Sequence, residues 1–165
     1  MSATAGDRAA ASVFVRVTPE DAFEVFTEET NLWWRHGRKY RIAGRHPGRL
    51  AFEGGLGGRL FETVELPSGP RTFEVGSIVD WDPPRRFAFE WRGVNFAAHE
   101  KTMVEVVFTP RGEGTMVRVE HHGWASLRDD HPARHGLEGA AFARSIGMWW
   151  GELATALREH VLRTR

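Results

Sequence analysis

Two polar side chains, Glu62 and His121, fall in otherwise apolar sets within predicted β-strands. Alternation over 59–66 places Glu62 in one set with three apolar residues, Leu60, Val64 and Leu66. His121 follows two inward valines on its own strand. A carboxylate and an imidazole that face an apolar interior can orient a ligand or relay a proton. Two alternatives stay open: a bulge after Gly57-Gly58 would turn Glu62 outward, and His121 could simply bind a backbone carbonyl.

Other residues that could do chemistry form weaker patterns. One loop holds four side chains of metal-ligand type: Asp129, Asp130, His131 and His135. The two histidines are four residues apart, but an intervening proline gives no assurance of a helix that would align them, so we predict no metal site. The glycine-rich Gly54–Gly58 lacks the Lys-Ser/Thr of a phosphate-binding loop and is better explained as a hairpin turn, and we predict no cofactor.

A basic, irregular stretch covers positions 35–49. Its cationic or titratable side chains are Arg35, His36, Arg38, Lys39, Arg41, Arg45, His46 and Arg49. It could dock an acidic partner or bind an anionic ligand at the mouth of a cavity, or it could be a solvated loop balanced by acids elsewhere. The whole chain has 22 basic and 22 acidic residues. This balance argues against broad electrostatic binding to nucleic acid or to an anionic membrane.

Length and composition predict one domain. The 165 residues leave too little chain for a second core, and no cysteine is present to form a disulfide or a thiolate site. Aromatic residues make up 12% of the chain, with seven Trp and eleven Phe, which suits either a filled core or a lined cavity. No apolar run reaches membrane-spanning length. We expect a disordered tail over 1–11, a domain over 12–163 and a cytoplasmic location.

The predicted elements that would position these residues follow one order along the chain. A β-branched strand over Ser12–Val17 precedes a short helix that Thr18 caps and Pro19 opens, and a second turn of helix covers Glu28 to Trp34. Six strands with short turns follow: Leu50–Glu53, Arg59–Leu66, Thr72–Trp81, Arg86–Arg92, Thr102–Thr109 and Thr115–His122. Apolar residues then recur at helical spacing over Leu137–Arg163. This pattern predicts an antiparallel meander covered by a long helix.

Several motifs in this order resemble the START-like, helix-grip superfamily, and specifically the group named after the activator of Hsp90 ATPase. They are Val17–Phe23, Trp33-Trp34, Gly57–Glu62, Trp81–Trp91, Val106–Pro110, Val119–Trp124 and the tryptophan within Gly147–Leu153. Each motif alone is weak, but together they span nearly the whole chain. The resemblance implies an α+β helix-grip (START/Bet v 1-like) fold, in which a curved antiparallel sheet grips the C-terminal helix. It says less about activity, because this scaffold hosts many functions.

The fold implied by the resemblance leaves a cavity between the sheet and the long helix. Its candidate ligand-binding residues are Trp33, Trp34, Phe61, Glu62, Phe89, Trp91, His121, Trp124, Phe142, Ile146, Trp149 and Trp150. The leading hypothesis is that this cavity binds a hydrophobic or aromatic small molecule. Alternatively, the rings fill the space themselves as an ordinary core.

The resemblance also implies two rival functions. Domains of this type can contact a partner ATPase, so the partner could be a chaperone or another protein. Relatives in the wider superfamily include cyclases and hydrolases that act in the same cavity. An enzyme of that kind needs an acid–base pair, and Glu62 with His121 is the pair that we nominate for it.

Overall fold

The computed structural model describes residues 8–44, 46–93, 96–124, 127, 131, 136–137 and 139–165. Seven strands and three helices lie in these ranges. The strands are β1 (Arg8–Val15), β2 (Gly48–Phe52), β3 (Arg59–Leu66), β4 (Gly69–Asp82), β5 (Arg86–Trp91), β6 (Thr102–Arg111) and β7 (Gly114–His122). The helices are α1 (Pro19–Glu28), α2 (Thr30–Trp33) and α3 (Gly139–Thr164).

The seven strands form one curled antiparallel sheet in the order β1-β7-β6-β5-β4-β3-β2. Neighbours from β2 to β7 are consecutive in the chain, as the short turns predict, and β1 closes the order by pairing with β7 through Val13 and Val117. The sheet curls as a half-barrel around the long helix. The predicted α+β helix-grip architecture is confirmed.

The first strand begins earlier than the sequence predicts. β1 starts at Arg8 instead of Ser12, and residues 8–11 pair with 119–122 of β7. These four residues were expected in the N-terminal tail, but three alanines at 9–11 carry little strand propensity and give no β signal on their own. Pairing with β7 supplies the order that local propensity does not. The remaining predicted tail, 1–7, lies outside the described residues.

Helix α1 starts where its capping residues predict. The Thr18 hydroxyl accepts a hydrogen bond from the Asp21 N–H at 3.2 Å, and Pro19 occupies the first turn. Phe23, Phe26 and their neighbours on the same face are buried against the sheet. The opposite face of α1 is acidic and exposed.

Helix α3 packs closely along only part of its length. Its C-terminal half buries Leu153, Leu157 and Val161, and the space beneath it is a void of about 10 Å³, too small for a ligand. Its N-terminal half borders a much larger cavity. The long helix therefore divides the interior into a filled end and an open end. In the described ranges no helix is apolar over a stretch long enough to cross a bilayer.

Two irregularities in β4 curl the sheet without disturbing β3. The β3–β4 register shifts so that Val75 is an extra residue on β4, while β3 keeps its strict alternation and buries Leu60, Glu62 and Val64. Gly76 lies so close to β5 that a Cβ there would be 1.6 Å from the Glu90 carbonyl oxygen. Only glycine permits this approach. Glu62 therefore faces inward, as alternation predicts, because the bulge is on β4 and not on β3.

Candidate functional site

A cavity of about 530 Å³ lies between the N-terminal half of α3 and the ends of β5 and β7. Residues 35–44, which we call the mouth loop, form its rim on one side. The lining consists of Arg38, Lys39, Trp91, His121, Trp124, Ser145, Ile146, Met148, Trp149 and Glu152. Half of these residues come from α3 at positions 145, 146, 148, 149 and 152, which share one side of the helix. The volume is in the range of small-molecule sites.

Tryptophans form the walls, and the N–H groups of those nearest the mouth loop are already used. Trp91 and Trp149 meet edge to face, with ring centroids 5.8 Å apart and planes at 79°. Trp34 lies behind them and stacks on Trp91 at 15°. The Trp149 indole N–H donates to the Lys39 carbonyl at 2.8 Å, and that of Trp34 donates to the Tyr40 carbonyl at 3.1 Å. These indoles therefore offer a ligand apolar ring surface rather than hydrogen-bond donors.

His121 lies on the cavity floor and is hydrogen-bonded through both ring nitrogens. The Trp150 indole N–H donates to His121 Nδ1 at 3.0 Å, so Nδ1 must be an unprotonated acceptor. His121 Nε2 is 2.7 Å from the Thr102 hydroxyl, which in turn donates to the Trp91 carbonyl at 3.3 Å. Burial, with a smaller contribution from the charge of His122, lowers the pKa of His121 to about 3. The floor is thus a neutral imidazole fixed as one tautomer.

Glu62 is buried and holds the mouth loop from below. Its carboxylate accepts hydrogen bonds from the backbone N–H groups of Ile42, at 3.0 Å, and of Ala43. Only 2% of Glu62 is exposed. Sequence alternation predicts the inward direction of this side chain, but its partners belong to an irregular loop. The structure therefore gives Glu62 a supporting position beneath the loop and does not bring it together with His121.

Arg41, a residue of the same loop, attaches the loop to α2. Its guanidinium donates to the Asn31 side-chain oxygen at 2.6 Å and to the backbone carbonyls of Asn31, Trp34 and Arg35 at 2.9, 2.6 and 3.2 Å. Arg41 is only 4% exposed. This member of the basic stretch is a structural residue, with its donors spent on backbone and amide oxygens.

Glu152 ties the mouth loop to α3. Its carboxylate accepts hydrogen bonds from Lys39 Nζ, at 2.7 Å, and from the Tyr40 hydroxyl. Arg35 Nε adds a bond to the Glu152 backbone carbonyl at 3.1 Å. The bonds from Lys39 and then Tyr40 hold the pKa of the Glu152 carboxyl below its usual range. Three hydrogen bonds, from Arg35, Lys39 and Tyr40, therefore close one side of the cavity.

Arg38 remains as the cation at the cavity mouth that no acid neutralises among the described residues. It is exposed, and it takes part in none of their ion pairs or side-chain hydrogen bonds. The Arg38 side chain lies against Gly44, because a Cβ added to Gly44 would be 3.0 Å from the Arg38 Cγ. The aliphatic part of the side chain therefore folds back over the loop. Lys39, beside it, is paired with Glu152. Of the two cations that line the cavity, Arg38 is therefore the one without an ion-pair partner among the described residues.

Five of the twelve residues proposed from sequence line the cavity: Trp91, His121, Trp124, Ile146 and Trp149. Trp34 and Trp150 form the layer behind its wall. Trp33 and Phe89 belong to the main core, and Phe142 packs against Trp124 in a smaller cluster. Phe61 lies on the opposite face of β3, with the Arg59 guanidinium 5.3 Å from its ring centroid, so it cannot line the cavity.

Sequence reasoning missed Ser145, Met148 and Glu152 as lining residues. Helical spacing from Trp149 could have found Ser145, four residues before it, and Glu152, three residues after it, and Met148 lies four residues before Glu152. The position of Arg38 had no such signal, because the mouth loop has no periodicity. Of the loop considered as a metal site, Asp129, Asp130 and His135 lie outside the described residues. His131 is buried beside Glu100, with Nε2 3.5 Å from a carboxylate oxygen.

Comparison with known proteins agrees with the helix-grip fold described above. The sequence profile of the family described as activator of Hsp90 ATPase homolog 1-like protein matches residues 16–144. The chain belongs to this family. The matched segment includes β2 to β7, the mouth loop and the first turns of α3. The family includes ligand-binding and Hsp90-activator-like members. A search of curated proteins found no match.

Solved structures of the same fold cover nearly the whole chain. The MLL2253 protein from Mesorhizobium loti aligns with a TM-score of 0.62 at 16% identity, over 96% of this chain and 98% of that one. The Aha1 dimer from Colwellia psychrerythraea aligns with a TM-score of 0.58 at 13% identity, over 93% and 95%. CalU16 from Micromonospora echinospora aligns with a TM-score of 0.56 at 14% identity, over 93% and 73%. At these identities the likeness shows the fold alone.

Proposed function

We propose that this protein binds a hydrophobic, aromatic small molecule in the cavity between α3 and the sheet. The observation that carries the proposal is a 530 Å³ space with tryptophan walls, next to a helix whose other half is packed without room for a guest. Flat indole surfaces favour a flat apolar ligand, through edge-to-face and offset-stacked contacts. A concave, mostly apolar site with few polar groups is the usual form of a small-molecule site.

From the charged residues at the mouth of the cavity we infer that the ligand also has a polar end. The cavity floor is neutral, because His121 is uncharged with both nitrogens bonded. A charged group on the ligand therefore belongs at the opposite end, where Arg38 is exposed and Lys39 is already paired. A guanidinium binds a carboxylate through two parallel hydrogen bonds. We accordingly expect an aromatic body with an anionic group, as in an arylcarboxylate.

The contacts of Glu62 and His121 favour binding over catalysis by this pair. A general base needs a free lone pair that can reach the substrate. His121 Nδ1 already accepts from Trp150, and Glu62 accepts two N–H groups of the mouth loop. His121 thus has no free nitrogen, and Glu62 is buried beneath the loop and does not line the cavity, so neither residue meets this requirement. Both residues hold the site in shape, and we assign an acid–base role to neither of them.

Titration with naphthalene-2-carboxylate, by calorimetry and by thermal unfolding, tests the proposal. We expect saturable binding and a rise in the melting temperature that grows with ligand concentration. Ser145→Phe should abolish both effects, because a ring at this lining position occupies the cavity. Ala141→Phe adds the same ring to an exposed position of α3 outside the cavity and should leave binding unchanged. Binding that survives Ser145→Phe would contradict the proposed location.

Neutral and anionic probes separate the apolar and charged parts of the proposal. Arg38→Ala should weaken naphthalene-2-carboxylate about tenfold while changing the affinity for 2-naphthol little, since only the carboxylate uses the guanidinium. If neither probe binds, and decanoate also fails, the cavity does not serve an apolar ligand. The protein-binding alternative would then be tested by adding the purified chain to an Hsp90-type chaperone and measuring its ATPase rate.

A further inference from the structure

A second depression runs along the length of α1, away from the ligand cavity. It is a groove of about 730 Å³ between α1, the edge strand β2 and the turn that joins β4 to β5. Phe23, Phe52 and Trp81 form an apolar floor, with the Phe23 and Trp81 rings in edge-to-face contact at 5.0 Å. We call this feature the acidic groove because of the residues on its rim. None of its lining residues lines the cavity described above.

The rim of the acidic groove carries a row of carboxylates. Glu20, Glu24 and Glu28 recur every four residues on α1 and line the groove together. All three are exposed, and none makes an ion pair or side-chain hydrogen bond with any residue in the described ranges. Arg49, on the opposite wall, contributes one positive charge. The lining therefore has two net negative charges above an aromatic floor.

The other wall of the groove is a free strand edge. β2 is the last strand of the sheet, and the Leu50 N–H on its outer side is capped by the Asn31 side-chain oxygen at 3.0 Å. Phe52, two residues on, directs its N–H and C=O to the same outer side, because orientation repeats every second residue in an antiparallel pair. In the part of the chain that the structure describes, nothing binds the Phe52 backbone there. Such an edge can accept another extended chain.

We propose that the acidic groove binds an extended, basic segment of a partner protein. The segment would add its backbone to the free edge at Phe52 and lay the methylene stems of its basic side chains over Trp81. Its lysine or arginine side chains would pair with the glutamates of α1. This surface is independent of the proposed ligand cavity, so either can hold without the other.

Spacing favours a peptide over a small amine. Successive glutamates four residues apart on a helix are separated by about 6 Å along the axis. Side chains on one face of an extended peptide are separated by about 6.8 Å, which nearly matches this row. A small amine would meet one carboxylate and leave the other two without a cation. A segment with basic residues at alternating positions can engage all three.

Binding of a designed peptide tests the proposal on the intact chain. The probe is the acetylated hexapeptide Lys-Val-Lys-Thr-Lys-Thr, and its control, Lys-Lys-Lys-Val-Thr-Thr, has the same composition without the alternation. We expect NMR amide shifts confined to α1, to residues 52–54 and to the Trp81 indole. The alternating peptide should bind about threefold or more tightly than its control, and the difference should shrink in high salt.

Two variants locate the site, and one matched variant controls for net charge. The triple change Glu20→Gln, Glu24→Gln and Glu28→Gln should weaken the peptide about tenfold or more. Gly54→Leu should block it without changing charge, because a Cβ at Gly54 would already lie 3.8 Å from the Trp81 ring. The control changes three exposed glutamates outside the groove: Glu65→Gln, Glu113→Gln and Glu159→Gln. This control should keep the affinity.

Four results would overturn the inference. One is the absence of groove shifts with either peptide, and another is an equal loss of affinity in the control triple, which would reduce the effect to net charge. A third is spermidine binding as tightly as the alternating peptide, which would make the groove a polyamine site. The fourth is self-association of the free protein that the groove variants abolish, which would assign this face to a second copy of the chain.

Discussion

The hydrogen bonds of His121 explain why a polar residue can form the floor of an apolar cavity. The imidazole accepts from Trp150 and bonds Thr102, so neither nitrogen is left for water or for a proton. An isolated polar group at this depth would cost free energy, whereas a fully bonded one is tolerated. The histidine also joins α3 to β7, because Trp150 lies on the helix. One side chain therefore links the two layers that enclose the cavity.

This arrangement predicts that acid weakens the fold through His121. The pKa of His121 is lowered from 6.5 to about 3, so between these values the unfolded chain binds a proton that the folded chain excludes. The contribution of neutral His121 to stability is therefore complete above pH 6.5 and is lost as the pH falls. In urea unfolding, wild type should lose about 1 kcal/mol per pH unit relative to His121→Gln below pH 6. Parallel pH profiles would contradict this assignment.

For single residues, the sequence predicts which way a side chain faces better than it predicts which residues that side chain contacts. Alternation places Glu62 and His121 inward, and both are buried with 2% of their surface exposed. Their partners could not be predicted, since the two N–H groups on Glu62 come from a loop without periodicity and the indole on His121 comes from a helix 29 residues away. A period of two fixes which face a side chain occupies. Contacts between elements depend on tertiary packing, which periodicity does not encode.

Among the elements, the mouth loop is the part whose order depends most on individual side chains. Glu62 holds it from β3 and Glu152 from α3, and the loop's own Arg41 attaches it to Asn31 of α2. Such a segment lacks a regular backbone ladder, so buried side chains must satisfy its N–H and C=O groups. The sequence shows the segment as basic and irregular. The structure shows that its charged residues differ in their contacts: Arg41 is structural, Lys39 is paired, and Arg38 is exposed without an ion-pair partner among the described residues.

Neutralising Glu62 should loosen this loop and with it the cavity. In Glu62→Gln one amide N–H₂ replaces an acceptor opposite a backbone N–H, and we expect a loss of about 1–3 kcal/mol in the free energy of urea unfolding. Binding of naphthalene-2-carboxylate should weaken as well, because the loop carries Arg38. Glu65→Gln, on the exposed side of the same strand, should change stability by less than about 0.5 kcal/mol. Equal stabilities of the two variants would contradict the anchoring role.

Across the whole molecule, the most densely packed aromatic core and the candidate ligand cavity lie in different places. Phe87 is fully buried and contacts six other rings: Phe23, Phe26, Phe52, Trp81, Phe89 and Phe108. This cluster lies beneath α1, whereas the cavity lies at the other end of the sheet. The density of aromatic residues in the sequence fits both a filled core and a lined cavity. The structure contains both, because α1 covers one part of the curled sheet and only half of α3 packs closely over the rest.

Truncating the core cluster should therefore lower stability without changing affinity at the cavity. Phe87→Ala leaves a hole among close-packed rings and should cost about 3–5 kcal/mol in denaturant unfolding. Phe87→Leu should cost less, so at least one variant stays folded for calorimetry. Phe73→Ala, on the half-exposed side of β4, should cost about 1 kcal/mol. Naphthalene-2-carboxylate should bind folded Phe87→Leu within about twofold of wild type, because Phe87 touches no part of the lining. A larger loss would mean that the core and the cavity share one rigid unit.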